Sequence, residues 1–180
     1  SAASDVYKRQ FEDDGSTAEG VEVTHVFTEH GDFYVILEVS DDRGGSDSIR
    51  KLIRVNAPPT ARFKFSPEKP TAGEEVWFDP RLSKDPDGEI VWYGWDWESD
   101  GKIDVSITRV TQGRVTKFAW DLQNDGKIDK YTDQLEPYSH IFSSPGEHKV
   151  TLCVKDAVGA KDCYTAVSYT HLTLPTTERV

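Results

Sequence analysis

Two short acidic segments are the part of this chain best suited to chemistry. Both have the pattern Trp-Asp-x-x-x-Asp-Gly-Lys-Ile-Asp, and they begin at Trp95 and Trp120, 25 positions apart. Counted from the first Asp of each, oxygen-bearing side chains stand at positions 1, 3, 5 and 9, and glycine stands at position 6. In chain order these side chains are Asp96, Glu98, Asp100 and Asp104, then Asp121, Gln123, Asp125 and Asp129.

This spacing resembles that of calcium-binding loops, so calcium is the candidate cofactor. Carboxylates that are crowded together repel one another until a cation joins them. At position 12, where a bidentate Glu would complete the shell, the chain has Ile107 or Thr132. An alternative stays open, because Asp-Gly also supplies the positive φ angle of a tight hairpin turn. A further acidic segment, Asp85-Pro86-Asp87-Gly88, favours a plain turn.

The acidic segments lie inside a longer repeat. A pattern of eight residues recurs 115 positions later without a gap: His25, Phe27, Gly31, Val35, Leu37, Val39, Asp41 and Gly44 match His140, Phe142, Gly146, Val150, Leu152, Val154, Asp156 and Gly159. Alternation of apolar and polar residues predicts a β-strand in each copy, and the following polar, glycine-bearing segment predicts a hairpin. A fixed period indicates an array of like units.

Several motifs around the second copy resemble those of PKD domains. They are Ala57-Pro58-Pro59-Thr60-Ala61-Arg62-Phe63, Asp85-Pro86-Asp87-Gly88, Tyr93-Gly94-Trp95-Asp96-Trp97, His140-Ile141-Phe142 and Pro145-Gly146, in that order. The resemblance covers about 150 residues, and it implies an all-β, immunoglobulin-like sandwich of short strands. Trp97 departs mildly from the Trp-Asp-Phe run of the family. By this resemblance we expect Tyr93, Trp95 and Trp97 to fill the core between two sheets.

The repeat predicts two units of unequal completeness. Residues 56–166 are expected to form a complete unit with an inserted hairpin at about 98–122, because the 25-residue spacing of the two acidic segments accounts for the unusual length of the unit. Residues 11–55 are expected to form the C-terminal half of a truncated unit, because Phe11-Glu12-Asp13-Asp14-Gly15 resembles only the end of the Trp-Asp-Phe run. We therefore expect residues 11–55 to be loosely packed or to borrow contacts from the neighbouring unit.

Both ends of the chain resemble translated sequencing-adapter sequence. Residues 1–10 and 167–180 are interpreted as non-native tails that interrupt the strand pattern. The first unit ends its last strand with Ile53 and Val55, whereas the matched positions are Ser168 and Thr170.

Cys153 and Cys163 lie on the two strands of the second predicted hairpin, at equal distances from Val158. This register brings them opposite each other, and we predict a disulfide. The matched residues of the first unit are Glu38 and Ser48, so the fold does not require the pair. A persistent disulfide indicates an extracellular or cell-surface location. Two unpaired thiols remain the alternative.

Trp77 and Trp92 alternate with the predicted core residues of their strands, so we expect both to be exposed on one sheet as a binding surface. Sugar rings stack on such indoles, and PKD modules often accompany enzymes that attack chitin or collagen. The alternative is that the inserted hairpin or a neighbouring domain covers them.

Composition and motifs narrow the function. A net charge of −11 argues against nucleic-acid binding, and no segment has the length of apolar residues that a membrane span requires. The five histidines have no metal spacing, and no nucleophile elbow or phosphate loop occurs, so we expect no enzyme activity. We expect a structural or adhesive repeat of a larger secreted or surface protein, whose partners are adjacent domains and an extracellular polymer or protein ligand. The alternative is an accessory carbohydrate- or collagen-binding module of a secreted hydrolase.

Overall fold

The computed structural model describes residues 6–171, and its regular secondary structure is β-strand apart from one short 3-10 helix. The chain divides between Ala57 and Pro58 into two compact units. The strands are β1 Val6–Phe11, β2 Thr17–Glu19, β3 Gly31–Ser40, β4 Ser46–Val55, β5 Lys64–Ser66, β6 Glu75–Asp79, β7 Ile90–Asp96, β8 Val105–Gln112, β9 Val115–Asp121, β10 Lys130–Thr132, β11 Tyr138–Ile141, β12 Gly146–Asp156 and β13 Lys161–Thr170. A short 3-10 helix, Pro80–Leu82, follows β6. The predicted all-β class is confirmed.

The second unit is a sandwich of two antiparallel sheets. Its larger sheet has the order β10-β9-β8-β7-β12-β13, and its smaller sheet has the order β11-β6-β5. Strands β8 and β9 form a hairpin within the segment that was predicted to be inserted, and this hairpin extends the larger sheet beyond β7. Strand alternation places every second side chain between the sheets, which produces the apolar pattern read in the sequence.

Aromatic rings fill the space between the two sheets of the second unit. Trp95 is fully buried and meets Phe63 edge-to-face at 5.1 Å and Phe78 at 5.7 Å between ring centroids. Trp97 stacks on Trp95 at 5.3 Å. Tyr93 is also buried, so the predicted core role of the three aromatic residues of β7 is confirmed. Deleting a ring at such a site costs roughly 3–5 kcal/mol of unfolding free energy.

The first unit is a single sheet with the order β2-β1-β3-β4. Its central register reproduces that of the second unit, because Tyr7 pairs with Val39 as Tyr93 pairs with Val154. The same register places Phe11 at the position of Trp97. The prediction that Phe11 begins the end of a Trp-Asp-Phe run therefore agrees with the strand pairing.

Matched apolar side chains differ in burial between the two units. Val150, Leu152 and Val154 of β12 are at most 1% exposed, whereas Val35, Leu37 and Val39 of β3 are all only half-buried. Opposite β3, Ile49 and Ile53 of β4 are 53% and 38% exposed. No second sheet covers this face within the described part of the first unit. This is the loose packing expected of residues 11–55.

The two closing hairpins have the registers that the repeat predicted. Cys153 pairs directly with Cys163, their Cα atoms are 4.0 Å apart and they form a disulfide. In the first unit Glu38 pairs with Ser48 at the matched place. The predicted disulfide is confirmed, and it joins two strands that already form a full backbone ladder.

The segments interpreted as non-native tails extend two strands. Residues 6–10 belong to β1 and residues 167–170 to β13, so the expectation that both segments interrupt the strand pattern is wrong there. A ladder is built from backbone N–H and C=O groups, which any non-proline residue supplies. The origin of these segments stays a prediction, and residues 1–5 and 172–180 lie outside the described residues.

Between residues 6 and 171, no helix has the length and apolar character needed to cross a bilayer.

Amide hydrogen exchange measures the difference in packing between the units. We expect the amides of Val35, Leu37 and Val39 to exchange faster than those of Val150, Leu152 and Val154, because a sheet without a packed face opens at a lower free energy. Mass spectrometry or NMR on the intact chain makes this comparison. Equal protection at the matched positions would contradict the prediction.

Candidate metal centre

The first acidic segment forms the connection between β7 and β8. Trp95 and Trp97 face the core, so the pleat turns the carboxylate of Asp96, which lies between them, to the other side of the strand. The connecting loop runs from Trp97 to Asp104, and it is longer than the two-residue hairpin turn that was the alternative interpretation. Positive φ angles at Ser99 (52°) and Gly101 (90°) let the loop curl around the carboxylate.

Backbone hydrogen bonds to two carboxylates hold this loop. Asp96 accepts from the amide nitrogen atoms of Asp100 at 3.1 Å and Gly101 at 2.8 Å. Asp104 accepts from the amide nitrogen of Trp97 at 2.9 Å. Each bond satisfies an amide that a curled loop would otherwise leave without a partner. Positions 1 and 9 of the pattern are therefore required by the loop backbone.

The second acidic segment connects β9 to β10 and repeats this geometry. Asp121 accepts from the amide nitrogen atoms of Asp125 at 3.1 Å and Gly126 at 2.8 Å. Asp129 accepts from the amide nitrogen of Leu122 at 2.7 Å. The two loops thus have one backbone design, with positive φ at Gly126 as at Gly101.

Three of the four predicted ligands of the first loop converge. One carboxylate oxygen from each of Asp96, Glu98 and Asp104 lies within 4.8 Å of the other two. The side chain of Asp100 instead forms an ion pair with Lys102 at 2.8 Å, which holds the pKa of Asp100 below its ordinary value. Position 12 contributes nothing, because Ile107 is fully buried in the core. The first loop therefore offers a three-carboxylate cluster, open on one side.

The second loop has no equivalent cluster, because its third position is an amide. The hydrogen-bond partners orient the amide nitrogen of Gln123 towards Asp129, to whose two carboxylate oxygens it donates at 3.3 and 3.1 Å. Asp125 is paired with Lys127 at 3.0 Å, and the hydroxyl of Thr132 at position 12 accepts from the indole nitrogen of Trp120 at 2.8 Å. This loop satisfies its own polar groups without a cation.

Negative charge is unbalanced at Glu98. Most of the side chain is exposed, yet partial loss of solvation, followed by the charges of Asp104, Asp100 and Asp96, raises its pKa above the ordinary value. A carboxylate whose neighbours disfavour its ionised form is stabilised by binding either a proton or a cation. The first loop has the electrostatics that hard cations favour, because its ligands are carboxylate oxygens.

A pair of stacked aromatic rings lies beneath the first loop. The ring of His140 stacks on Trp97 at 4.6 Å between centroids. Burial lowers the pKa of His140, and the charge of Asp104 partly opposes this shift. The matched pair in the first unit is Phe11 with His25, stacked at 3.8 Å. These repeat-matched histidines support loops, in line with the structural role expected of them.

The structure places Trp77 and Trp92 on different sheets, so the expectation of one shared surface is wrong. Trp77 is 49% exposed on β6, and its cross-strand neighbours are Ser66 and Ser139. Trp92 on β7 is half-buried, with the ammonium of Lys155 lying 4.4 Å from the centre of its ring. Sequence alternation identified the outward face of each strand, but it does not say to which sheet a strand belongs.

A second acidic group was not predicted. Asp13, Asp14 and His25 lie together in the first unit, and the imidazole of His25 is 2.8 Å from a carboxylate oxygen of Asp13. Both of these side chains are about nine-tenths buried. The signal in the sequence was the repeat itself, because His25 matches His140, which covers the corresponding loop.

Comparison with known proteins agrees with this architecture. The family model for the PKD domain matches residues 5–55 and 98–171, which is more than half of the chain. No curated protein sequence matches the chain.

Three solved structures are among those to which the chain is similar. One comes from a study of the promiscuous specificity of carbohydrate-binding modules from the β-sandwich superfamily. It is 28% identical to this chain, the match covers 66% of this chain and 36% of that one, and the TM-score is 0.44. The PKD1 domain of Vibrio anguillarum Epp is 22% identical over 66% of this chain and 99% of that one, with a TM-score of 0.41. The PKD1 domain from Vibrio cholerae metalloprotease PrtV is 21% identical over 63% and 98%, with a TM-score of 0.39.

Replacing Glu98 with Gln, the residue at the same position of the second loop, tests the charge imbalance. The pKa of Glu98 is raised in the folded state. The side chain therefore contributes fully to stability below its unfolded pKa of 4.5, and this contribution is lost as the pH rises through the folded pKa. We therefore expect Glu98→Gln to be more stable than the wild type at about pH 7 without divalent cations, and the difference to shrink at about pH 4.

Urea unfolding of both proteins in EDTA at the two pH values measures this effect. Glu68→Gln, at an exposed glutamate outside both loops, is the matched control. A Glu98→Gln variant that is less stable than the wild type at neutral pH would contradict the prediction.

Proposed function

The chain belongs to the PKD domain family, and on that premise we propose that it is a non-catalytic extracellular repeat that spaces neighbouring domains of a larger secreted or surface protein and presents them for adhesion. Family membership establishes a β-sandwich module. The chain has two compact units that divide between Ala57 and Pro58, and the first of them is a single sheet. The disulfide of the second unit suits an oxidising compartment.

One observation carries the proposal: the residues best suited to chemistry support the backbone. Asp96, Asp104, Asp121 and Asp129 all accept backbone amides within their own loops. The histidine of each repeat stacks on the aromatic residue that precedes its loop. A catalytic acid or base needs a free side chain facing a substrate, and these residues are already occupied.

A polymer-binding module of a secreted hydrolase is the second candidate, and exposed indole rings favour it. Trp77 offers one such ring, 49% exposed. Without complementary charges, a platform for a polymer such as chitin or cellulose needs several rings on one face, and Trp92 lies on the other sheet beneath Lys155. A single exposed ring flanked by serines is more simply explained as an isolated surface residue than as a polymer-binding site.

A pull-down on insoluble chitin, cellulose and collagen separates the two candidates. We expect the full chain to remain in the supernatant, because Trp77 and Trp92 lie on different sheets and do not form one platform. The matched variants are Trp77→Ala with Trp92→Ala, and Tyr169→Ala as a control at another exposed aromatic residue. Retention that disappears only in the double tryptophan variant would overturn the spacer proposal.

We further propose that calcium stabilises the first loop. The converging oxygens of Asp96, Glu98 and Asp104 support this assignment, as does the raised pKa of Glu98. Only three protein ligands converge and no bidentate Glu closes the shell, so we expect the weak class of site, with Kd about 0.1–1 mM. We expect no ion in the second loop, because the amide nitrogen of Gln123 donates to the carboxylate of Asp129, where the first loop has the carboxylate of Glu98.

Thermal melting with and without 10 mM calcium tests this site. At the expected affinity, about 10 mM calcium raises the free energy of unfolding by about 1–3 kcal/mol and the midpoint by about 3–8 °C. Glu98→Gln should lose most of this gain, and Gln123→Glu should increase it by giving the second loop the same charge. An unchanged wild-type midpoint in calcium would exclude the site.

A further inference from the structure

Six side chains form a straight line across the outer face of the large sheet. Direct cross-strand pairing defines this line, which we name the outer row. From β10 to β13 its members are Tyr131, Ala119, Thr108, Trp92, Lys155 and Lys161. Five strand spacings of about 4.8 Å give the row a length of about 24 Å.

One end of the outer row carries two lysines directly opposite each other. Lys155 pairs with Lys161 in register, and like charges at such positions destabilise a sheet. The matched positions of the first unit are Ser40 and Ser46, which pair in the same register. The hairpin therefore does not require the lysines. In a protein with a net charge of −11, a lysine pair that the fold does not need points to an anionic partner.

Trp92 holds one of the two ammonium groups in place. The Nζ atom of Lys155 lies 4.4 Å from the centre of the Trp92 ring, within cation–π distance. The ring lies flat across Gly94, where the Cβ of any other residue would collide with it. A fixed ammonium loses less side-chain entropy when an anion binds than a mobile one does. Trp92 thus acts as a positioning residue for Lys155.

The other end of the row is an exposed aromatic ring beside a cavity. Tyr131 is 59% exposed and lines a cavity of about 540 Å³ together with Val110, Gln112, Val115 and Lys117. The Nζ atom of Lys117 is 3.9 Å from a carboxylate oxygen of Asp133. Between the two ends lie the small side chains of Ala119, which is 2% exposed, and Thr108, which is half-buried, so no large side chain of these two positions stands out from the middle of the row.

We propose that the outer row binds an anionic polysaccharide. Lys155 and Lys161 take one carboxylate or sulfate group through charge-assisted hydrogen bonds, and a sugar ring stacks on Tyr131. A polymer with an acidic group on successive sugars fits a track that has cations at one end and a planar ring at the other. This inference gives the adhesive role of the proposed function a ligand class, and it rests on the second unit being an extracellular module.

Native affinity electrophoresis of the full chain tests the proposal. Each gel contains one polymer, which is polygalacturonate, dextran sulfate, neutral galactan or polyglutamate. The three charged polymers are used at equal total charge. We expect polygalacturonate, dextran sulfate or both to retard the protein, and galactan not to retard it. The polymer that retards the protein shows whether the bound group is a carboxylate or a sulfate. We expect weaker retardation by polyglutamate, which has the charge but no sugar ring.

Matched variants assign the effect to the row. Lys155→Ser with Lys161→Ser copies the first unit, whose hairpin folds with serines at these positions. It should weaken retardation about tenfold in apparent affinity, through two lost charge pairs. Tyr131→Ala should weaken it about threefold to tenfold, by loss of ring stacking. Lys51→Ser with Lys69→Ser changes the net charge equally at exposed positions outside the row and should have little effect.

Three results would overturn the proposal. They are no retardation by either anionic polysaccharide, equal retardation by polyglutamate, and equal weakening in both lysine double variants. Circular dichroism of each variant shows that it is folded. The pull-down uses chitin, cellulose and collagen, whereas the gels use soluble anionic polymers and variants at Lys155, Lys161 and Tyr131. Failure here is therefore distinguishable from failure of the spacer role.

Discussion

Strand alternation at Trp95-Asp96-Trp97 is the constraint on which the second unit depends. The two indoles fill the space between the sheets, with their ring centroids 5.3 Å apart. Because adjacent side chains of a strand point to opposite faces, the side chain of Asp96 points away from the core. Its carboxylate is aimed at the loop that follows, where it accepts two backbone amides. One local alternation therefore fixes the core on one side and the loop on the other. The sequence Trp120-Asp121 has the same arrangement at the end of β9.

This shared design makes the differences between copies informative. Glu98 and Gln123 stand at the same position of their loops. Glu98 adds a third carboxylate to the cluster of the first loop, whereas the amide of Gln123 donates to the carboxylate of Asp129 in the second loop. Lys155 and Lys161 replace a serine pair, and Cys153 and Cys163 replace Glu38 and Ser48, in hairpins of identical register. The scaffold tolerates these changes because backbone groups form its ladder. What differs between the copies is thus open to function, and what they share maintains the fold.

Much of the fold follows from short-range sequence patterns. The period of two in β3 and β12 identified their inward faces, and the symmetry about Val158 identified the disulfide register. The acidic loops were recognised from spacing, but their ligand sets were not. Asp100 and Asp125 have the side-chain type of a ligand, yet each pairs with the lysine two residues later. Spacing fixes the order of side chains along a loop, whereas the direction of each depends on which backbone amides it meets.

The sequence by itself determined the repeat, the strands, the inward aromatic residues and the cysteine pair, because each follows from periodicity along one or two adjacent strands. Only the tertiary structure decided which strands are neighbours. That placed Trp77 and Trp92 on different sheets and left the apolar face of the first unit half-buried. It also aligned Tyr131 with Lys161 across six strands. Strand neighbours are set by how apolar faces pack against each other over long separations in sequence, and no local pattern carries that information.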